Sequence, residues 1–79
     1  MTWIRHTDNL GAFYNSLKRP DGVVIYADVW PVEGGYLWAV GADGREWRRG
    51  ARPAPTLLEA QRRGVMAMER LEDLYRRKP

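Results

Sequence analysis

The sequence has no cysteine, one histidine and one phenylalanine among its 79 residues. Without cysteine there is no disulfide framework and no thiolate for nucleophilic or metal chemistry. His6, alone between Arg5 and Asp8, cannot make an ordinary zinc site. Nothing in the spacing brings it to Ser16, Thr2, Thr7 or Thr56 as a base to a nucleophile, so it reads as a surface residue. Asp28 and Glu33 are too isolated for paired-carboxylate catalysis. Gly34-Gly35 falls between strands and not before a helix, so no phosphate-cradling loop is present. No apolar run is long enough to span a bilayer, and Met1 to His6 lack the apolar stretch of a signal peptide. These absences lead to the expectation of a single non-enzymatic domain over residues 1–79, cytoplasmic, with no cofactor, metal or membrane partner.

Tryptophan and arginine are what the chain has in quantity. Four Trp and four Tyr give so short a chain large rings with which to build a core. The net charge of +3 is unevenly placed, at −2 over residues 1–44 and +5 over residues 45–79. A basic half suits an acidic partner, either nucleic acid or an acidic protein surface.

From Thr56 to about Arg77 the sequence predicts one amphipathic helix. Thr56 and Glu59 have the spacing of a capping box, and Pro55 marks the start. Leu57, Ala60, Gln61, Gly64, Ala67, Met68, Leu71 and Tyr75 fall on one side, with Arg62, Arg63, Met66, Arg70 and the acidic residues opposite. Glu59–Arg63, Glu72–Arg76 and Asp73–Arg77 are favourable i,i+4 pairs, so much of the helix charge is expected to be spent locally. Gly64, in the middle of the stripe, would let an indole approach the helix backbone, with Trp38 and Trp47 as the expected partners.

Strands are expected over Val23–Trp30, Tyr36–Val40 and about Arg45–Arg49 from their β-branched and aromatic content. Asp43-Gly44 is the strongest hairpin signal. Trp3-Ile4 can open a further short strand. From Asp8 two patterns compete: helical spacing of Leu10, Phe13, Tyr14 and Leu17, or a strand over Ala12–Lys18 feeding the Arg19-Pro20-Asp21-Gly22 turn. The strand is preferred because Gly11, Asn15 and Ser16 are poor helix formers. The fold class is therefore α+β, an antiparallel meander of three to four strands packed on one C-terminal helix, with α-β-β-β-α as the alternative.

Two-residue turns fix the register and so the faces. Val40 then opposes Trp47, Trp38 opposes Arg49, and one face reads Val23, Ile25, Ala27, Val29, Tyr36, Trp38, Val40 and Trp47. The other reads Val24, Tyr26, Asp28, Trp30, Leu37, Ala39, Glu46 and Arg48. A single helix leaves this second face uncovered, which makes it a binding site or a homodimer seam unless the register differs or residues 8–18 fold back over it. The densest chemical signal is Arg45-Glu46-Trp47-Arg48-Arg49-Gly50-Ala51-Arg52, whose arginines suit carboxylate or phosphate recognition. Arg48, Arg49 and Arg52, with Arg45, are the cations expected to lack local partners. The predicted partner-binding set is Arg45, Arg48, Arg49, Arg52, Arg62, Arg63, Tyr26 and Trp30.

Gly50-Ala51, then Thr56-x-x-Glu59-Ala60, Ala67, Leu71 and Leu74 after three strands, resemble the end of a double-stranded-RNA-binding domain. That family implies α-β-β-β-α and phosphate-gripping lysines at the start of the last helix; here Leu57 and Leu58 stand in those places. The whole chain, with an early Trp, a Tyr-x-Trp-x-Val strand, Arg-Gly-Ala and a Thr-x-x-Glu-Ala helix, resembles small phage and prophage accessory proteins, some of them anti-CRISPR inhibitors. The resemblance implies a non-catalytic protein that occupies a surface of a host nucleic-acid-handling complex, such as a type I CRISPR surveillance complex at its DNA-binding face. Direct nucleic-acid binding and a homodimeric interaction module are the alternatives.

Overall fold

In the computed structural model, which describes residues 3–7 and 11–77, the chain is an antiparallel meander closed by one helix. The strands β1 (Ile4–Arg5), β2 (Phe13–Lys18), β3 (Val24–Val32), β4 (Gly35–Ala42) and β5 (Arg45–Arg49) form a single sheet in sequence order. The helix α1 (Leu57–Arg77) lies against β3 and β4. Phe13–Lys18 is strand, so α-β-β-β-α does not hold, and the two-residue β1 adds a fifth strand to the expected three or four. The helical alternative for Asp8–Leu10 falls outside the described residues.

The turns follow their local chemistry. Asp43 (φ 50°) and Gly44 (φ 81°) both have positive φ, as a type I′ hairpin demands. Asp43 also ties back to β3: its N–H donates to the Val24 carbonyl at 3.0 Å, and its carboxylate accepts from the Val24 N–H at 3.1 Å. At the β2–β3 turn, Gly22 N–H donates to the Arg19 carbonyl at 2.9 Å, and Asp21 accepts from the Val23 N–H. That bond is the main reason the Asp21 carboxyl lies below its ordinary pKa.

Pairing of β3 with β4 has the expected parity, with Val29 opposite Trp38 and Trp30 opposite Leu37. Between β4 and β5 the expected register fails. Ala42 pairs with Arg45 and Gly41 with Glu46, but then Val40 pairs with Arg48 and Ala39 with Arg49. A bulge leaves Trp47 as the extra residue of β5. Its cause is local to Gly41, where a Cβ would lie 2.1 Å from the Arg45 carbonyl oxygen and 2.6 Å from the Tyr26 hydroxyl. Only glycine lets β5 and the Tyr26 ring come so close to β4. The bulge moves Arg48 to the helix side of the sheet and puts Arg49 in its place on the other face, reversing the predicted positions.

The core lies between sheet and helix. Ile25, Ala27, Val29 and Val40 are fully buried against Ala60, Gly64, Ala67, Met68 and Leu71, as the two stripes predict. Gly64 does receive an indole, but from Trp3 and not from the sheet: a Cβ there would lie 3.4 Å from Trp3 Cη2 and 3.6 Å from Ala27 Cβ. Trp38 instead packs over Gly50, whose N–H donates to the Trp38 carbonyl. Thr56 caps α1 by accepting the Glu59 N–H at 3.1 Å, while the Glu59 carboxylate turns along the helix to Arg63. Asn15, on β2 opposite Ala27, is only 4% exposed, and its Nδ2 has no hydrogen-bond partner among the described residues.

Candidate functional site: an arginine-lined cleft

After β5 the chain runs back along β4. Gly50 bonds to Trp38, and Ala54 exchanges two backbone hydrogen bonds with Tyr36, at 2.7 and 2.9 Å. This return path and α1 leave a cleft of about 260 Å³ between them. Trp38 and Ala67 give it an apolar lining, and Met66, 59% exposed, stands at its margin. Arg48, Arg63 and Arg70 line it, as does Arg49, whose guanidinium is directed to the opposite face of the sheet, and no carboxylate of the described residues lines it. An open, partly apolar cleft with several fixed guanidinia can receive carboxylates or phosphates by forked hydrogen bonds.

The four arginines are not equivalent. Arg63 is held by Glu59 at 3.3 Å. Arg49, expected to lack a partner, is held by Glu46 at 2.8 Å through Nη2 and 3.2 Å through Nε. That pairing holds the Glu46 carboxyl below its ordinary pKa and the Arg49 guanidinium above its own. Arg48 stacks on the Trp47 ring at 4.5 Å and, like Arg70, has no carboxylate partner among the described residues. The adjoining hollow, of about 220 Å³, does contain Asp73, but Arg77 holds that carboxylate at 2.9 Å. Two positive charges, Arg48 and Arg70, are therefore left for a ligand.

The predicted set divides between the two sides of the sheet. Arg48 and Arg63 both line the cleft, as does Arg49, although its guanidinium lies on the other face. Tyr26 and Trp30 lie on the opposite face, where the Arg49 guanidinium sits 5.3 Å from the Trp30 ring centroid. Arg45 lines a separate hollow with Trp47, Leu71, Leu74 and Tyr75, while Arg52 and Arg62 are exposed. Arg70, Trp38 and Met66 were not in the predicted set. Arg70 was detectable as a helix arginine outside the three i,i+4 pairs, whereas Met66 carried no signal beyond its place on the polar side.

On the open face His6 Nε2 lies 3.1 Å from Asp28 Oδ1, with the Tyr14 ring 4.9 Å from the imidazole. His6 was expected to stand alone, and only the β1 register brings it to Asp28. Tyr26 shares this face, and its phenol is raised above the ordinary tyrosine pKa by burial first, then by Asp28 and Glu46. Among the described residues no group of three or more His, Cys, Asp or Glu is gathered to hold a metal ion. No described helix is long and apolar enough to cross a membrane.

No family model, curated protein or solved structure matches the chain.

Proposed function

We propose that the protein is a non-catalytic binding module whose arginine cleft docks onto an acidic surface of a macromolecular partner. The observation that carries this reading is that Arg48 and Arg70, both without a carboxylate partner among the described residues, line one cleft in which no described acidic residue takes part. A ligand carboxylate or phosphate group that enters the cleft gains charge-assisted hydrogen bonds from these guanidinia. In keeping with the resemblance to phage accessory proteins, the partner we propose is a host nucleic-acid-handling complex such as a type I CRISPR surveillance complex. The charge of the cleft redirects the contact, however. A DNA-binding face is itself basic and would repel the unpaired Arg48 and Arg70, so the protein engages an acidic region of such a complex.

The test compares wild type with the double variant Arg48→Glu/Arg70→Glu. Wild type should bind the purified complex and block its DNA binding, and the variant should do neither. Equal activity of the two proteins, or no binding by wild type, would remove the proposal. Direct nucleic-acid binding is read separately. If the pure protein shifted duplex DNA or dsRNA at low salt, with affinity falling steeply and linearly on log–log axes, the partner would be the nucleic acid itself.

A further inference from the structure

The face of the sheet opposite α1 has no covering element among the described residues, and its composition differs from the rest of the surface. Two cross-strand rows fill its centre. Tyr14, Asp28, Ala39 and Arg49 form one, and Ser16, Tyr26, Gly41 and Glu46 form the next. Trp30 and Leu37 flank the first row, and Lys18 and Val24 flank the second. Lys18 and Arg49 balance Asp28 and Glu46, so this face is neutral on a chain of net charge +3. A polyanion gains nothing from such a surface. It suits a partner with the same mixture of rings and opposite charges.

We infer that this face pairs with a second copy of the chain about a two-fold axis lying in the interface, across the strands and between the two central rows. A rotation about that axis exchanges the rows and keeps each strand over its own copy. Arg49 of one molecule then faces the second copy's Glu46, and the reverse, so the Glu46–Arg49 pair made within each chain joins that of its copy in an alternating four-charge cluster from one self-complementary patch. Asp28 faces the second copy's Tyr26. That phenol, raised above its ordinary pKa, stays a hydrogen-bond donor to the carboxylate. Ala39 and Gly41, at the centre, are already buried in each chain, with the Tyr26 hydroxyl over Gly41, so the side chains around them make the contact between copies. The competing axis, parallel to the strands between β3 and β4, would set Tyr14 against the second copy's Arg49 and Ser16 against its Glu46, with no opposite charges facing, and is disfavoured. From strand spacing and rise, the four longer strands cover roughly 20 by 25 Å, or about 500 Å² per copy. A pair then buries about 1,000 Å², the lower bound for a specific interface, so the dimer should dissociate in the micromolar range or above. Because β5 stacks on the second copy's β5, both arginine clefts come to the same edge of the assembly. The pairing itself does not depend on what the clefts bind.

Sedimentation of the full chain from about 1 μM to about 1 mM spans the expected dissociation range. Wild type should rise toward twice the 9.2 kDa chain mass as concentration increases. Arg49→Glu alone and Glu46→Arg alone should each stay monomeric, since each sets like charges against like. An equimolar mixture of the two variants should recover the dimer, a result that their pairing within one chain cannot produce. Far-UV circular dichroism establishes that each variant is folded. If a variant unfolds, Trp30→Lys takes its place in the monomer test, and the wild-type concentration series still decides. A monomeric wild type up to about 1 mM would overturn the inference and leave the face to a different protein. Single variants that dimerise as well as wild type, or folded variants whose mixture stays monomeric, would overturn it equally.

Discussion

Gly64→Ala should stabilise the protein, although the glycine is buried beneath the Trp3 indole. Glycine within a helix costs about 1 kcal/mol relative to alanine, chiefly in backbone entropy. A Cβ at position 64 would meet Trp3 Cη2 at 3.4 Å, Ala27 Cβ at 3.6 Å and Trp3 Cζ2 at 3.9 Å, which is van der Waals contact without a clash. The added methyl fills space beside an indole edge that can yield by a few tenths of an ångström. The expected gain is about 0.5–1 kcal/mol, which for a domain of this size raises Tm by roughly 2–8 °C. Gly41→Ala is the contrasting control, because its Cβ would lie 2.1 Å from a backbone oxygen that cannot move without breaking the hairpin. That variant should lose about 3 kcal/mol or fail to fold. Thermal and urea unfolding followed at 222 nm would measure both. Loss of stability in Gly64→Ala beyond about 0.5 kcal/mol, well outside the helix-propensity range, would refute the packing of Trp3 on the helix described above.

Replacing Asn15 with leucine should stabilise the fold by about 1–2 kcal/mol in urea titrations, because it removes a buried donor that has no partner. A loss of stability would mean that the amide is satisfied in solution. Tyr26 should ionise above its ordinary value of 10.0 in an NMR pH titration, and Asp28→Asn and Glu46→Gln should each bring it lower. The linked stability is fully present below the unfolded tyrosine pKa and is lost as pH rises through the higher folded one. An unchanged Tyr26 titration in both variants would exclude the two carboxylates as a cause.

Much of this architecture was legible because short-range signals act there alone. Asp43-Gly44 set a type I′ turn, Thr56 capped the helix, and the 3.6-residue stripe found the residues now buried. The assignment of arginines to faces failed because turn length fixes parity only as far as the next bulge. The signal for that bulge was Gly41, a glycine inside a strand, which allows the close backbone approach that shifts Arg48 and Arg49 by one position. Trp3 over Gly64 and His6 beside Asp28 depend on how β1 docks, and two residues of strand carry no periodicity to read. The cleft was only half visible, since Arg70 lies 22 residues after Arg48 and α1 must be in place before the two meet.

The decisive property is whether the cleft between α1 and the Gly50–Ala51 segment binds anions. In ¹H–¹⁵N NMR spectra, a short glutamate-rich peptide added to the protein should shift the Arg48 and Arg70 Nε–H and Trp38 Nε1–H signals together and saturably. The amides of Tyr26 and Trp30 should not follow that titration. Shifts spread evenly over all the arginines, or saturable shifts on the open sheet face with none at Trp38, would contradict the assignment of the cleft as the binding site.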